Sequence, residues 1–429
     1  MKPSGTAGAA TLAQKIIARA AGRETVAVGE HVTCEVDLVL SHDSSGPRRY
    51  AQRLEALGVP VWDPDKVVLV TDHFVPATDA RSANVLAMTR RWAKDNGVNN
   101  FYDMQGICHV VLPEKGHLRP GMLAVGGDSH SPTGGAYGAF MVGIGATDMT
   151  GVLATGRIWL RVPRTIRVEW TGALGPAMSA KDMILHLCAK LGMGNDYRVI
   201  EFAGETVTGL PMSERMVLTN MSAELGAKTG IIAADATTLA DIRARGGDVA
   251  DAVIDQYRSD DNAEFEAEHR FDAADLPPQV AAPHSPDNTR PVDEHLGVAV
   301  DQAYIGACTG AKHTDLQMAA AVLKGRKVRS GTRLMIAPAS LEATRLAAAD
   351  GTLEILTEAG AILLPTGCGA CAGMGAGALA AGETCISSTS RNFRGRMGDP
   401  GSSVYLASPF TVAAAAVAGE IVDPREFVA

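Results

Sequence analysis

The stretch PTGCGACAGMG, residues 365–375, sets two cysteines three positions apart in a run of glycine and alanine. A C-x-x-C pair has several chemistries: a redox dithiol, half of a zinc site, two ligands of an iron–sulfur cluster, or two thiols buried side by side. A thioredoxin-like dithiol belongs at a helix N-terminus near a βαβ unit of a small domain. The partner to consider is Cys308, sixty positions upstream in YIGACTGAKHTD, another small-residue turn behind a short apolar strand. Three thiols in two turns are one too few for a closed structural zinc or a fully ligated cluster, which want four protein ligands. They suit a metal centre with one open position that substrate can reach. Spacing alone leaves open whether Cys308 joins the pair.

Outward from these turns the chain alternates. Short apolar runs at 36–40, 66–72, 121–128, 165–170 and 333–339 are separated by helical patterns such as DARSANVLAMTRRWAKDNG and SAKDMILHLCAKLG. That alternation predicts an α/β protein with parallel or mixed sheets. Polar residues gather where strands run into glycine-rich turns: LSHDSSG, TDHFVPATD, GGDSHSPTGG and IGACTG. In open α/β sheets such turns lie at the carboxyl ends of strands, where ligands bind. Residues 258–294 are rich in charge and proline and read as an interdomain linker, and a softer boundary falls near 160–164.

A chain of 429 residues exceeds one hydrophobic core. Its 46% apolar and 20% charged composition excludes disorder, and a net charge of −9 argues against a broad nucleic-acid-binding surface. The longest small-apolar run, VAAAAVAG, is far short of the ~20 residues of a membrane span. Seven scattered cysteines and no signal peptide fit a reducing cytoplasm. Thr11–Gly22 reads as a capped amphipathic helix with Leu12, Ile16 and Ile17 on one face, preceded by a loose tail over residues 1–10. A transit peptide is the weaker reading of that end.

GGDSHSPTGGAYGAF (126–140), IGACTGAKHTDL (305–316), PTGCGACAG (365–373) and SRNFRGRMG (390–398), in that order, resemble the signature blocks of the aconitase superfamily. The likeness runs from about Thr11 to the C-terminus and is greatest to the large subunits of the isopropylmalate isomerase branch, in their shorter homoaconitase-like form. It implies three α/β/α domains, placed at 1–163, 164–283 with the Pro-rich charged linker at its end, and 284–429 with the cysteines, and no swivel domain in this chain. It implies one [4Fe–4S] cluster per chain on Cys308, Cys368 and Cys371, with one iron lacking a protein ligand. The catalytic positions it implies are Asp72, His73, His109, Asp128, His130 and Glu224. Those for substrate are His42, Asp43, Ser129, Arg391 and Arg396, and Asn220 and Asn392 would neighbour the cluster. A carboxylate beside an imidazole fixes its tautomer, and a guanidinium grips a carboxylate through paired hydrogen bonds. Asn220 and Glu224, at i and i+4, would share one helical face.

The implied reaction is reversible dehydration and rehydration of a hydroxy dicarboxylate, with 3-isopropylmalate of leucine biosynthesis leading. Homoaconitate, methylmalate/citraconate and dimethylmalate hydro-lyases are alternatives within the family. A cluster-bearing RNA-binding regulator is the alternative outside enzymology. The resemblance also implies a small swivel-domain subunit as partner, carrying the serine base, with no membrane or nucleic-acid partner. Three positions depart from the family pattern: Gly310 follows C-T where asparagine is usual, Ala370 replaces the proline of C-G-P-C, and Ser390 replaces the first asparagine of N-R-N-F. His313 is likewise not a family residue. Cys34, Cys108, Cys188 and Cys385 match no ligand position and are expected to be buried small hydrophobes.

Overall fold

The protein is described by a computed structural model over residues 9–428. The first eight residues of the expected tail lie outside the described residues. The helix expected after it forms at Leu12–Ala20, where Thr11 and Gln14 make a reciprocal capping box and Leu12, Ile16 and Ile17 are buried. No described helix is long and apolar enough to cross a membrane.

Three larger sheets organise the described residues, beside a two-stranded antiparallel ribbon of His31–Glu35 and Arg157–Arg161. The first is parallel, in the order Asn100–Asp103, Val67–Thr71, Leu38–His42, Leu123–Gly126, Phe140–Gly143. Leu38–His42 and Val67–Thr71 are buried along their whole length, as expected for strands covered on both faces. Their side chains alternate between two cores: Leu38, Leu40, Val68 and Val70 enter one, Val39, Val67 and Leu69 the other. From Leu38–His42 the chain moves outward to one edge, then returns to the other side at Leu123–Gly126. The resulting switch point leaves a crevice at the carboxyl ends of these two strands.

The second sheet is also parallel, in the order Thr229–Ile232, Arg198–Ala203, Arg164–Thr171, Ala267–Asp272. The third has seven strands, with Thr384–Ser387 and Gln302–Ile305 paired in parallel at its centre and antiparallel strands Gln279–Ala281 and Thr289–Pro291 at one edge. One core contains Leu40 and Val70 of the first sheet together with Ile305 and Cys308 of the third, so the layers pack directly on each other.

Residues 258–294, expected as a linker, carry more structure than their composition signals. Ala267–Asp272 completes the edge of the second sheet, and Gln279–Ala281 and Thr289–Pro291 begin the third. The edge strand is half exposed, alternating intermediate and exposed residues, so charge in AEHRFD is compatible with pairing.

Candidate active site

The first sheet delivers three carboxylates to one crevice. Asp43, just past the strand Leu38–His42, is fully buried and accepts backbone N–H groups from Asp72 (3.3 Å), His73 (3.1 Å) and Phe74 (2.8 Å). One strand end thus fixes the turn at the end of its neighbour. In that turn His73 Nδ1 lies 2.6 Å from Asp72 Oδ1, while Asp72 Oδ2 accepts the N–H of Cys108, the first residue of the helix Cys108–Glu114. From the third turn, Asp128 Oδ1 meets His109 Nε2 at 2.9 Å and accepts the backbone N–H of His130 at 2.8 Å.

These pairings separate the imidazoles chemically. Burial disfavours charge on His73, but Asp72 outweighs it and the pKa rises to about 9. His130 is also raised, because Glu224 outweighs burial. On His109 burial wins over Asp128 and the pKa falls. Asp128, despite burial, is held well below the carboxylate range by its bonds to His109 and His130. Two imidazoles are therefore suited to carry a proton and one to remain neutral, a division of the kind that assigns acid and base roles.

The second unit contributes Asn220 and Glu224. The α-helix Met212–Asn220 ends at Asn220, and a tight turn over Met221–Ala223 follows, so the expected shared helical face is a helix end. Both side chains still reach the crevice. Asn220 Nδ2 donates to Cys308 Sγ at 3.1 Å and to Thr133 Oγ1 at 2.7 Å. Glu224 Oε1 lies 3.0 Å from His130 Nε2 and accepts Arg391 Nε at 2.7 Å, and these partners hold its carboxyl low in spite of burial.

The third sheet supplies the thiols and guanidinia. Cys308 follows the central strand Gln302–Ile305, and Arg391 follows its neighbour Thr384–Ser387. Cys368 N–H donates to the Asp72 carbonyl at 2.9 Å, tying the C-x-x-C turn to the first sheet. Gly367 allows that approach: it has φ +146°, and a Cβ would stand 2.9 Å from the same carbonyl oxygen. All three thiols, His73, His109, His130, Asp128, Ser390, Arg391 and Arg396 line one cavity.

Some expected residues stand elsewhere. His42 is buried one layer back, stacked on His73 at 4.2 Å with Nε2 bonded to Ser45 Oγ, and Asp43 is spent on backbone N–H groups. Neither lines the cavity: Asp43 holds the Asp72–His73 turn through its backbone N–H groups, and His42 stacks behind His73. Ser129 is exposed on an adjoining groove that it shares with Asp128 and Arg391. The Asn392 amide donates to the Ala282 and Val404 carbonyls and serves the sheet. His313 pairs with Asp350 at 2.7 Å on the surface side of its helix. Cys34, Cys108, Cys188 and Cys385 are buried thiols, as expected.

Two of the departures acquire reasons. A Cβ on Gly310 would lie 2.2 Å from Ser388 Oγ, so Ser388 fills the space that an asparagine side chain would need; its hydroxyl meets Gly306 and Gly310 carbonyls instead. Ser390 is not a mere loss of an amide, because its hydroxyl lies 3.2 Å from His130 Nε2. Ser390 is the cavity residue that reading the motif as a departure concealed. Ala370 is buried in the turn between the two cysteines, and nothing in the structure explains the change from proline.

The residues fit an iron–sulfur group. Of nine buried polar side-chain atoms without a partner among the described residues, five are His109 Nδ1, Asn220 Oδ1, Glu224 Oε2, Tyr304 Oη and Arg396 Nε, all in or around this cavity. Such a concentration of unmet groups needs an occupant. Burial raises the Cys308 thiol to about 12 and Cys368 well above its usual value, so thiolates here require a cationic centre beside them. Two further groups of possible ligand atoms stand close together beside the thiols, His42–Asp43–Asp72–His73 and His109–Asp128–His130.

A profile of the Aconitase family (aconitate hydratase) matches residues 14–419. The chain belongs to the aconitase family. Among curated relatives of this aconitase-family chain, the 3-isopropylmalate dehydratase large subunit 1 of Methanopyrus kandleri is 47% identical, over 97% of this chain and 99% of the relative. Methanothermobacter thermautotrophicus has two relatives at 44% identity. One is a probable methanogen homoaconitase large subunit, covered over 97% of both chains, and the other a probable 3-isopropylmalate dehydratase large subunit, over 96% and 98%. Equal identity to both means that overall similarity does not choose between their substrates. Among solved structures, Thermococcus kodakaraensis aconitase X in its holo-form superposes with a TM-score of 0.50 at 13% identity, covering 86% and 88% of the two chains. That likeness speaks for the fold alone.

Proposed function

We propose that this chain is the large subunit of a cytoplasmic iron–sulfur hydro-lyase that moves a hydroxyl group between adjacent carbons of a hydroxy dicarboxylate, 3-isopropylmalate first among candidates. The observation that carries the reading is one cavity lined together by Cys308, Cys368, Cys371, the His73, His109 and His130 imidazoles, and Arg391 and Arg396. Cys308, Cys368 and Cys371 would hold one [4Fe–4S] cluster with one iron free of protein ligand; when bound, the cluster supplies Lewis acidity toward a hydroxyl and carboxylate.

The chain's own residues do the rest. The terminal nitrogens of Arg391 remain available to a substrate carboxylate, since Nε alone is committed to Glu224. Arg396, with its buried Nε unpartnered, offers a second guanidinium. His73, kept protonated by Asp72, and His130, kept protonated by Glu224, are placed to protonate a departing hydroxyl. His109, disfavoured as a cation by burial, and the Asp128 carboxylate add a hydrogen-bonded pair to the cavity wall. The carbon-bound proton needs a base that the family places as a serine on a separate small subunit, so that subunit is the proposed partner.

The test is anaerobic reconstitution of the chain with iron and sulfide, alone and with a co-expressed small subunit, against a panel of hydroxy diacids. Activity is expected only in the pair, highest with 3-isopropylmalate. Full activity from the chain alone would refute the partner, and preference for homoaconitate would move the chain to that branch.

A further inference from the structure

Among the described residues three lysine or arginine side chains are buried: Lys181, Arg215 and Lys312. Arg215 pairs with Asp235 and Lys312 with Asp315, each at 2.7 Å. Lys181, 1% exposed, has no carboxylate partner among the described residues. Its ammonium donates to the Ser388 carbonyl (2.9 Å), the Thr389 carbonyl (2.7 Å) and Thr309 Oγ1 (3.3 Å). A buried cation with only neutral acceptors is costly. The position adds to that cost, because Lys181 is the second residue of the helix Ala180–Leu191, whose N-terminus already carries positive dipole charge. Its neighbour Asp182 does not compensate, being bonded to Ser179 and to the Gln279 N–H. Glu224 is shared by His130 and Arg391.

Beyond Glu224, whose charge is already shared, the anionic groups that act on Lys181 belong to the thiol set. Thr309 directly follows Cys308, and Ser388–Thr389 directly precede Ser390 and Arg391, so Lys181 braces both turns from behind the cavity wall. We propose that Lys181 is the counter-charge to the anionic cysteine-held cluster: a positioning residue that offsets thiolate and sulfide charge and sets the cluster's potential, without touching substrate. This rests on the cluster reading above. Burial draws the Lys181 pKa down to about 8, while Glu224, Cys371 and Cys308 favour its charged form, which agrees with a cation that the loaded site retains near neutrality.

A nearby cation favours the more negative, reduced state, so its removal should lower the reduction midpoint. The experiment compares wild type, Lys181→Met and Lys181→Gln after anaerobic reconstitution. It reads iron bound per chain, the midpoint by redox titration followed by electron paramagnetic resonance, and the melting temperature of the metal-free chains. Glutamine keeps hydrogen-bond donors without charge and covers the case in which methionine fails to fold. Both variants are expected to have a more negative midpoint and about tenfold weaker iron retention, a size typical of changes just outside a metal's ligands. Metal-free melting should fall little, since an uncompensated buried charge is removed along with its bonds. A midpoint and iron content equal to wild type in a folded variant, or recovery of both by glutamine, would overturn the charge role. A wild-type chain that binds no cluster would instead defeat the reading of the site itself.

Discussion

The two halves of the cavity are finished to different degrees. On the first-sheet side each carboxylate is already satisfied: Asp43 by three N–H groups, Asp72 by His73 and Cys108, Asp128 by His109 and His130. On the thiol side Asn220 Oδ1, Tyr304 Oη and Arg396 Nε have no partner, and Lys181 has no anion. The difference teaches that the carboxylates of the proton-handling half are preorganised by the fold, with His109 Nδ1 alone among its imidazole nitrogens named above left unpartnered, whereas the thiol half carries more of the unmet groups and a buried cation without a carboxylate partner. Preorganised groups need no rearrangement during reaction.

That comparison can be broken or sharpened experimentally. Cys371→Ser should have the largest effect, removing the cluster's visible absorbance and lowering activity of the reconstituted pair by at least ~10³-fold, beyond the ~10–100-fold of changes outside the ligands. In the same variant the His73 titration should be unchanged by NMR; a large shift would show that the halves are not separable. Next, His130→Ala should reduce kcat by ~10²–10⁴-fold while iron content holds, measured by steady-state kinetics and iron assay. Arg391→Lys keeps charge but not the fork, and should raise KM by ~10–100-fold, in keeping with about 1.5–3 kcal/mol for a charged hydrogen bond.

The His73–Asp72 pair gives a pH test on the metal-free chain. The folded pKa of His73, about 9, lies above the ~6.5 of a free imidazole, so the pair's contribution to stability is full below about 6.5 and is lost as pH rises through about 9. Denaturant unfolding should show that decline in wild type and a smaller one in Asp72→Asn, in which only Asp128 and Asp43 remain to oppose the burial of a charged His73. The smallest effect is expected at Gly310→Ala, where the new methyl must displace Ser388 and the metal-free chain should lose about 1–3 kcal/mol. A neutral result there would remove the steric account of the C-T-G turn.

The alternation of apolar runs with helical patterns placed the strands well, because burial on both faces leaves continuous aliphatic runs such as VVLVT. The turns at strand ends were legible for the same reason. His42 and Asp43 were visible as polar residues but not as positioning groups, since depth behind a cavity wall leaves no mark on sequence spacing. Lys181 was harder: in SAKD it resembles any solvated first-turn lysine, and only the packing of Thr309, Ser388 and Thr389 around it reveals its burial. Ala267–Asp272 and Thr289–Pro291 were hidden because edge strands tolerate charge and proline that central strands do not, and Gln279–Ala281 because three residues are too few to show a period.

Glu224 Oε1 receives one bond from His130, after the first sheet, and one from Arg391, after the third, while its own chain leads into the second. A single oxygen therefore measures the alignment of three independently built layers. Slippage of any layer by about an ångström would lengthen at least one of these bonds past useful range and release the His130 proton's anchor before the fold itself is disturbed. Loss of chemistry would then precede loss of structure, which makes this carboxylate a gauge of assembly and not merely a member of it.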